Sequence, residues 1–148
     1  MCRKISVLQA TSRLTGYERP RKFLINVERI YFKMIIETER LILRKWTQDD
    51  AESLFIYAKN PNVGPIAGWP PHKNIEESRD IIENVFAGVE CYAICEKENN
   101  VAIGAVELKL NGHTDMTERD NECELGYWLG EPFWGRGYMP EAAFALIK

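Results

Sequence analysis

The sequence predicts one α+β domain, in which helices flank a β-sheet and the elements follow in the order β-α-α-β-β-β-α. Three observations carry this prediction. Short strand-like runs lie at 40–46, 89–96, 101–110 and 122–130; side chains alternate at 40–46 and 122–130, and the other two runs flank a polar turn. Apolar residues recur at helical spacing within 51–58 and 75–86. A glycine-rich turn then joins the last strand to a further apolar run of helical pattern.

The composition limits the class of protein. The chain has 148 residues, 45% apolar and 28% charged, which is enough for one soluble domain with a sizeable core. No apolar run approaches the roughly 18 residues of a membrane span, so we expect no membrane partner. Cys91 and Cys95 would share one face of a strand, and we interpret them as small buried residues, with a redox or metal pair as the alternative. His72 and His113 lie apart in loop-like stretches, so we expect no metal site. Reduced cysteines suit the cytoplasm.

Charge divides the chain at Lys33/Met34. Residues 1–33 carry eight Lys/Arg against two Glu (+6), and residues 34–148 carry eleven Lys/Arg against twenty Asp/Glu (−9). The acidic body argues against nucleic acid as a partner. Residues 1–33 are interpreted as an extension outside the domain: a weakly structured basic segment, an organellar leader, or upstream coding sequence read through. The clean opening "MIIETERLILRKW" favours the third interpretation, with the domain spanning 34–148.

The first two elements are a strand over Arg40 to Trp46 and a helix. Thr47, with Asp50 three residues later, is a plausible cap for that helix. Apolar residues at helical spacing continue to Ala58, and Asn60-Pro61 ends the helix. A loop rich in Gly and Pro follows.

The second helix begins at Asn74, with Glu77 completing a capping box, and we expect it to end at Gly88. Strands at 89–96 and 101–110 form a hairpin around the polar turn "KENN". Residues 111–121 are predicted to be a polar loop before the strand at 122–130. The chain stops at "EAAFALIK" inside a helical pattern, so we expect that Lys148 is not the natural end of the domain. A short natural C-terminal helix is the alternative.

The turn "PFWGRGY" has the pattern of a phosphate-binding site. A helix N-terminus exposes backbone N–H groups and partial positive charge, and glycine lets a backbone approach an anion closely. Arg136 between Gly135 and Gly137 could add a cationic contact. The pattern is neither a P-loop, since no G-K-[ST] follows, nor a dinucleotide fingerprint, since Pro140 stands in place of the third glycine. A tight strand-to-helix turn without a ligand is the alternative.

The stretch "ELGYWLGEPFWGRGYMPEA" resembles the acetyl-CoA signature of the GNAT acetyltransferases, and is most similar to their ribosomal-protein-alanine acetyltransferase branch, RimJ/RimL. The opening "ETERLILRKWTQDDAESLF" resembles the first strand and helix of the same branch. The resemblance covers about residues 34–148. It implies a GNAT-like mixed, mostly antiparallel sheet flanked by helices, whose final strands and helix are missing from this chain. Pro132 stands where the wider family has Gln or Arg, and a proline there is common in this branch.

The resemblance also implies a cosubstrate, acetyl-CoA, and residues that would hold it. Backbone amides from Trp134 to Met139 would bind the pyrophosphate, and the edge of the last strand would pair with the pantetheine arm. The implied contact residues are Tyr127, Trp128, Leu129, Trp134, Gly135, Arg136, Gly137, Tyr138 and Met139. Trp69 in the loop between the two helices would help to wall the acceptor site, with a core-anchoring role as the alternative.

The implied reaction is direct attack of an amine on the thioester, which requires a group to accept the amine proton. Alternation places Glu122, Glu124, Gly126 and Trp128 on one face of the last strand. Glu124 is our candidate base; Glu122 lies further from the turn, and Glu107 on the neighbouring strand is a further possibility. Glu141 in the first turn of the last helix is interpreted as complementing the helix dipole.

These expectations lead to one function and two rivals. The function is transfer of an acetyl group from acetyl-CoA to a primary amine, either a protein N-terminus or a small molecule. A non-catalytic acyl-CoA-binding module would keep the glycine turn and gain nothing from Glu124, and an inactive fragment would bind nothing there. An uncovered edge at residues 122–130 would favour a homo-oligomer.

Overall fold

A computed structural model describes residues 35–110 and 122–147. The strands are β1 (Ile36–Glu37), β2 (Leu41–Arg44), β3 (Cys91–Glu96), β4 (Ala102–Leu110) and β5 (Cys123–Leu129). The helices are α1 (Ala51–Ala58), α2 (Ile75–Asn84) and α3 (Tyr138–Ile147). Single 3-10 turns, Gln48–Asp50 and Glu131–Phe133, precede α1 and follow β5. No helix in these ranges is long and apolar enough to cross a membrane.

The five strands form one sheet in the order β1-β2-β3-β4-β5, and each neighbouring pair is antiparallel. The predicted α+β class and the succession of helices and strands are therefore confirmed. The described part of the sheet is antiparallel throughout rather than mixed. The short strand β1, which pairs Ile36 with Leu43, was not predicted, because two residues are too few to show an alternation.

Each face of the sheet buries a separate core. One face packs Trp46, Ala93 and Trp128 against α1 and α2, and the other packs Leu43, Ile94 and Leu129 against α3. A register shift at Ile94/Cys95 inserts one extra residue in β4. Ala102 and Ala105 therefore share a face although they are three apart.

The predicted caps form, with two differences. Asp50 accepts from the Thr47 backbone amide and hydroxyl, both at 2.9 Å. Asn74 accepts from the Glu77 amide at 2.8 Å, but Glu77 reaches back to the amide of Lys73 rather than to that of Asn74. Helix α2 ends at Asn84, before the predicted stop at Gly88. The loop predicted for 111–121 and the extension at 1–33 lie outside the described residues.

Candidate functional site

The glycine turn follows β5 directly and is held from both sides. The amide of Gly130 donates to the Ile103 carbonyl at 2.8 Å, and the buried Phe133 ring anchors the 3-10 turn. The indole N–H of Trp134 donates back to the Leu129 carbonyl at 2.7 Å. Gly135 and Gly137 then take positive φ values of 73° and 76°, a conformation that residues with a Cβ rarely adopt. The sequence prediction of a turn that needs glycine is met at both positions.

Three backbone amides at the mouth of α3 have no acceptor among the described residues. Glu141 donates its amide to the Gly137 carbonyl at 3.3 Å, and Pro140 has no N–H. No atom of residues 35–110 or 122–147 accepts a hydrogen bond from the amides of Gly137, Tyr138 or Met139. Nothing within 4 Å would meet a Cβ at Gly135, so the space on that side is open. Unpaired amides beside an open space at a helix N-terminus are what an anionic oxygen requires.

Arg136 does not reach into that space. Its guanidinium lies over the Phe133 ring, 5.5 Å from the ring centroid. Its carbonyl accepts a hydrogen bond from Arg40, a residue almost a hundred positions earlier in the chain. The positive charge beside the turn therefore comes from two arginines, of which the sequence indicated only Arg136.

Glu141 is a tertiary contact as well as a residue of the first helical turn. Burial opposes ionisation of its carboxyl, but hydrogen bonds from Thr38 and Arg40 and the Arg40 charge together hold the pKa of Glu141 below its usual value. The interpretation of Glu141 as a simple complement to the helix dipole missed these partners. A pairing between residues so far apart leaves no local pattern in the sequence.

Strand β5 lies at the end of the described sheet, and among the strands of the described residues it pairs with β4 alone. The three residues expected to line the pantetheine arm differ in exposure: Tyr127 is 59% exposed, whereas Trp128 and Leu129 are each 7% exposed. What β5 offers to a ligand at this edge is therefore its backbone and the Tyr127 ring.

Three charged side chains cluster on β4 and β5. Glu124 lies opposite Lys109, and Oε1 of Glu124 is 2.9 Å from the Lys109 Nζ. Glu107 lies opposite Gly126 and is 3.8 Å from the same Nζ. A Cβ at Gly126 would lie 2.8 Å from Oε1 of Glu107, so the glycine leaves room for that carboxylate. The candidate base Glu124 is ion-paired, and Glu107 lies about two residues, or roughly 7 Å, closer to the glycine turn along the strand.

Trp69 reaches the strand predicted to hold the cosubstrate. Its ring lies 5.9 Å from that of Trp128 in an edge-to-face arrangement, and 5.1 Å from that of His72. The structure thus brings together a predicted acceptor residue and a predicted cosubstrate residue. It also adds Trp46, which sequence reasoning placed only in a strand and which stacks on Trp128 at 6.3 Å. The side chains of Trp46 and Trp128 are buried, and no described residue accepts from either indole N–H.

Within the described ranges, no group of three or more His, Cys, Asp and Glu side chains could hold a metal ion. His72 is buried, and its Nδ1 lies 2.8 Å from the Ser78 hydroxyl. Burial holds the pKa of His72 below its usual value, which keeps the ring neutral. His72 therefore has a structural role in the core, where its ring packs against that of Trp69.

Comparisons with known proteins agree with this geometry. Residues 40–148 match a family model described as "Acetyltransferase (GNAT) domain". The chain is 30% identical over 115 residues to the Bacillus licheniformis protein named "Uncharacterized N-acetyltransferase p20", covering 74% of this chain and 62% of that protein. It is 27% identical to the Bacillus subtilis protein named "Uncharacterized N-acetyltransferase YoaA", covering 77% of this chain and 64% of that one.

Solved structures share the fold. A GNAT-family acetyltransferase from Bacillus anthracis superposes with a TM-score of 0.60 at 23% identity, covering 76% of this chain and 63% of that one. A Vibrio cholerae protein described as a "putative ribosomal-protein-serine acetyltransferase" gives 0.61 at 27% identity, covering 78% and 66%. The chain therefore spans less than two thirds of the length of each of these four relatives.

Proposed function

The chain belongs to the GNAT acetyltransferase family, and from that premise we propose that it moves an acetyl group from acetyl-CoA to a primary amine. The acceptor would be a protein N-terminus or a small amine. One observation carries the proposal: the amides of Gly137, Tyr138 and Met139 at the mouth of α3 donate to no residue that the structure describes, and they lie beside glycines of positive φ. The pyrophosphate of CoA is an anion that this arrangement would bind.

Residues of β5 and of the turn would share the cosubstrate. The turn from Trp134 to Met139 would hold the pyrophosphate through backbone amides, with Gly135 leaving the approach open. The unpaired edge of β5 at Tyr127 to Leu129 would hydrogen-bond the pantetheine arm, as a strand pairs with an extended peptide. Arg136, stacked on Phe133, would contribute its charge from behind the turn rather than as a ligand.

The chemistry is one acyl transfer. The amine nitrogen attacks the thioester carbonyl carbon, the carbon–sulfur bond breaks, and CoA leaves as a thiolate that takes up a proton. A backbone N–H at the β5 edge would polarise the carbonyl oxygen. Glu124 would accept the proton that the amine loses, directly or through water, with the Lys109 ammonium 2.9 Å from its carboxylate. Trp69 would wall the acceptor side against Trp128.

Two finer proposals follow. Similarity to the Vibrio cholerae structure at 27% identity supports the RimJ/RimL branch. The free thiols of Cys91 and Cys95 agree with the reducing cytoplasm as its location.

Calorimetric titration with acetyl-CoA tests the binding half of the proposal. The parent chain should bind, and Gly137→Glu should not, because a side chain strains the positive-φ turn and its carboxylate repels the pyrophosphate. Gly88→Glu is the matched control: it adds the same charge at an exposed glycine distant in sequence from the turn, and it should bind like the parent. Equal binding by a folded Gly137→Glu chain would refute the assignment of the turn.

Turnover tests the catalytic half and the rival binding module. CoA release is measured against a panel of amines and N-terminal peptides, with Glu124→Gln and Glu107→Gln beside the parent. We expect Glu124→Gln to lower turnover with little change in acetyl-CoA affinity. Unchanged turnover in Glu124→Gln with loss in Glu107→Gln would move the base to Glu107. Binding without turnover on any amine would favour the non-catalytic module.

A further inference from the structure

The turn between β1 and β2 is tied to the glycine turn. The Arg40 guanidinium donates from Nη1 to the Arg136 carbonyl at 2.9 Å and from Nε to Oε2 of Glu141 at 2.8 Å. The Arg40 backbone amide donates to Oε1 of Glu141 at 2.9 Å, and the Thr38 hydroxyl donates to the same oxygen at 2.6 Å. The guanidinium also lies over the Tyr138 ring, 4.6 Å from its centroid. These contacts all fall on the glycine turn or on the first turn of α3.

The contact to Arg136 decides which way the next amide points. The Arg136 carbonyl and the Gly137 N–H belong to one peptide unit, and the described chain contains no cis peptide bond. In a trans peptide the C=O and the N–H point in opposite directions. Because Arg40 holds the carbonyl on its own side, the Gly137 N–H faces away from Arg40, and no described residue accepts from it.

We propose that Arg40 is a positioning residue for the cosubstrate. By holding the Arg136 carbonyl, it orients the Gly137 N–H toward the pyrophosphate of acetyl-CoA. Glu141 and Thr38 fix the guanidinium and the backbone of Arg40 so that only one orientation of the peptide unit is stable. This inference rests on the proposed function, because it names a residue that prepares the same site without contacting the ligand.

Geometry, more than charge, carries the effect. The Arg40 side chain is 44% exposed and its Glu141 partner 18%, so solvent screens the ion pair. The positive charge of Arg40 and the negative charge of Glu141 also offset each other at longer range. What Arg40 supplies is a planar donor set that contacts a carboxylate and a carbonyl together, which a lysine ammonium does not reproduce.

The alternative is a purely structural role, here called a staple, in which Arg40 only joins the β1–β2 turn to α3. A staple predicts that removing Arg40 lowers the stability of the fold and leaves the acetyl-CoA affinity of the folded variant unchanged. A positioning residue predicts a loss of affinity for ligands that carry the pyrophosphate. The two roles are therefore separable in a folded variant.

The experiment compares four variants: Arg40→Met, Arg40→Lys, Glu141→Gln and the control Lys97→Met. Lys97, in the turn after β3, pairs with Glu37 at 3.0 Å and donates to the Thr38 carbonyl at 3.3 Å, so its loss removes a cation that contacts the β1–β2 turn without touching the glycines. Each is titrated with acetyl-CoA, and turnover is followed with acetyl-CoA and with S-acetylpantetheine, which lacks the pyrophosphate. Amide relaxation of Gly135 and Gly137 is measured by NMR without ligand.

We expect Arg40→Met to weaken acetyl-CoA binding about tenfold, the loss of one charge-assisted hydrogen bond. Arg40→Lys should recover only part, Glu141→Gln should weaken binding less, and Lys97→Met should bind like the parent. The KM for S-acetylpantetheine should not change. The Gly137 amide should become more mobile in Arg40→Met, less so in Arg40→Lys and Glu141→Gln, and not at all in Lys97→Met.

Two other outcomes are distinguishable. A folded Arg40→Met chain with parental affinity and a rigid Gly137 amide would overturn the inference and leave the proposed function standing. A parent chain that fails to bind acetyl-CoA would overturn the proposed function. In that case, equal Gly137 amide mobility in Arg40→Met and in the parent would also reject the positioning role. Greater mobility in Arg40→Met would still support the inference that Arg40 orients the Gly137 N–H.

Discussion

At the scale of single residues, the candidate site depends on backbone conformations that only glycine adopts without strain. Gly135 has a φ of 73° and open space where its Cβ would be, so a substitution there adds strain but no collision. We expect Gly135→Ala to lower the free energy of unfolding by about 1 kcal/mol. Gly68 has a φ of 92° and equally open space, so Gly68→Ala should cost about as much. Denaturant unfolding measures both.

The acetyl-CoA affinities of Gly135→Ala and Gly68→Ala then distinguish the roles of the two glycines. Gly135→Ala should weaken binding because it distorts the turn beside the free amides, whereas Gly68→Ala should not. Equal affinities in both variants would show that the turn tolerates distortion and would count against its role in binding.

The buried thiols should be unreactive in the folded protein. Burial is the main cause that raises the pKa of Cys91 and of Cys95, each to about 12. At pH 8 almost no thiolate is present at either position, and thiolate is the reactive form. Peptide mapping after brief iodoacetamide treatment should show both unmodified, while a urea-unfolded sample should be modified at both. Rapid labelling of the native chain would contradict the buried placement.

At the scale of elements, the start of α1 depends on one ion pair. Arg44 Nη1 lies 2.7 Å from Oδ2 of Asp50, whose side chain is 8% exposed. Removing one partner of a buried pair leaves the other charge uncompensated, so Asp50→Asn should cost about 3 kcal/mol at pH 7. Asp49→Asn, at the exposed neighbouring carboxylate, should cost far less. Thermal or urea unfolding of the three chains measures the difference.

The ion pair between Arg44 and Asp50 also predicts how the free energy of unfolding depends on pH. Burial opposes ionisation of Asp50, but the Arg44 and Thr47 hydrogen bonds hold its pKa below the usual value. As pH falls, the unfolded chain binds this proton first. The contribution is therefore full above about pH 5, declines through the unfolded pKa near 4, and is gone below the folded pKa. Asp50→Asn should reduce the fall in the free energy of unfolding below about pH 5. An unchanged fall in that variant would reject the assignment of this pH dependence to Asp50.

The elements also show which parts of the fold the sequence could predict. Helical spacing, and short apolar runs bounded by polar turns, are local patterns, so α1, α2 and β3 to β5 were recognised within a few residues. The bulge at Ile94/Cys95 and the pairing of β1 with β2 depend on neighbouring strands, which no local period records. In the site, glycine spacing predicted the turn, whereas Arg40 and Trp46 were missed because their partners lie far along the chain.

At the scale of the whole molecule, the edge of β5 at Tyr127 to Leu129, which pairs with no strand of the described residues, should control association. An exposed strand edge flanked by apolar groups recruits further strands, and Tyr127 and Phe144 are both largely exposed. We expect this chain to self-associate as its concentration rises. Tyr127→Lys should reduce that association, since charge on an edge strand opposes pairing. Light scattering over a dilution series measures it, and a monomer at every concentration would reject the prediction.

In the described part of the sheet, each strand pairs with the strand that precedes or follows it in the chain. These strand pairs therefore join elements that are consecutive in the sequence. The link from Thr38 and Arg40 to Glu141 is different, since it joins the first described elements to the last. Closing so long a loop is slow, and such contacts form late in folding. On the ribosome, the glycine turn would therefore take its final form only after α3 has emerged, so a nascent chain that still lacks α3 would have a sheet but an unfinished glycine turn.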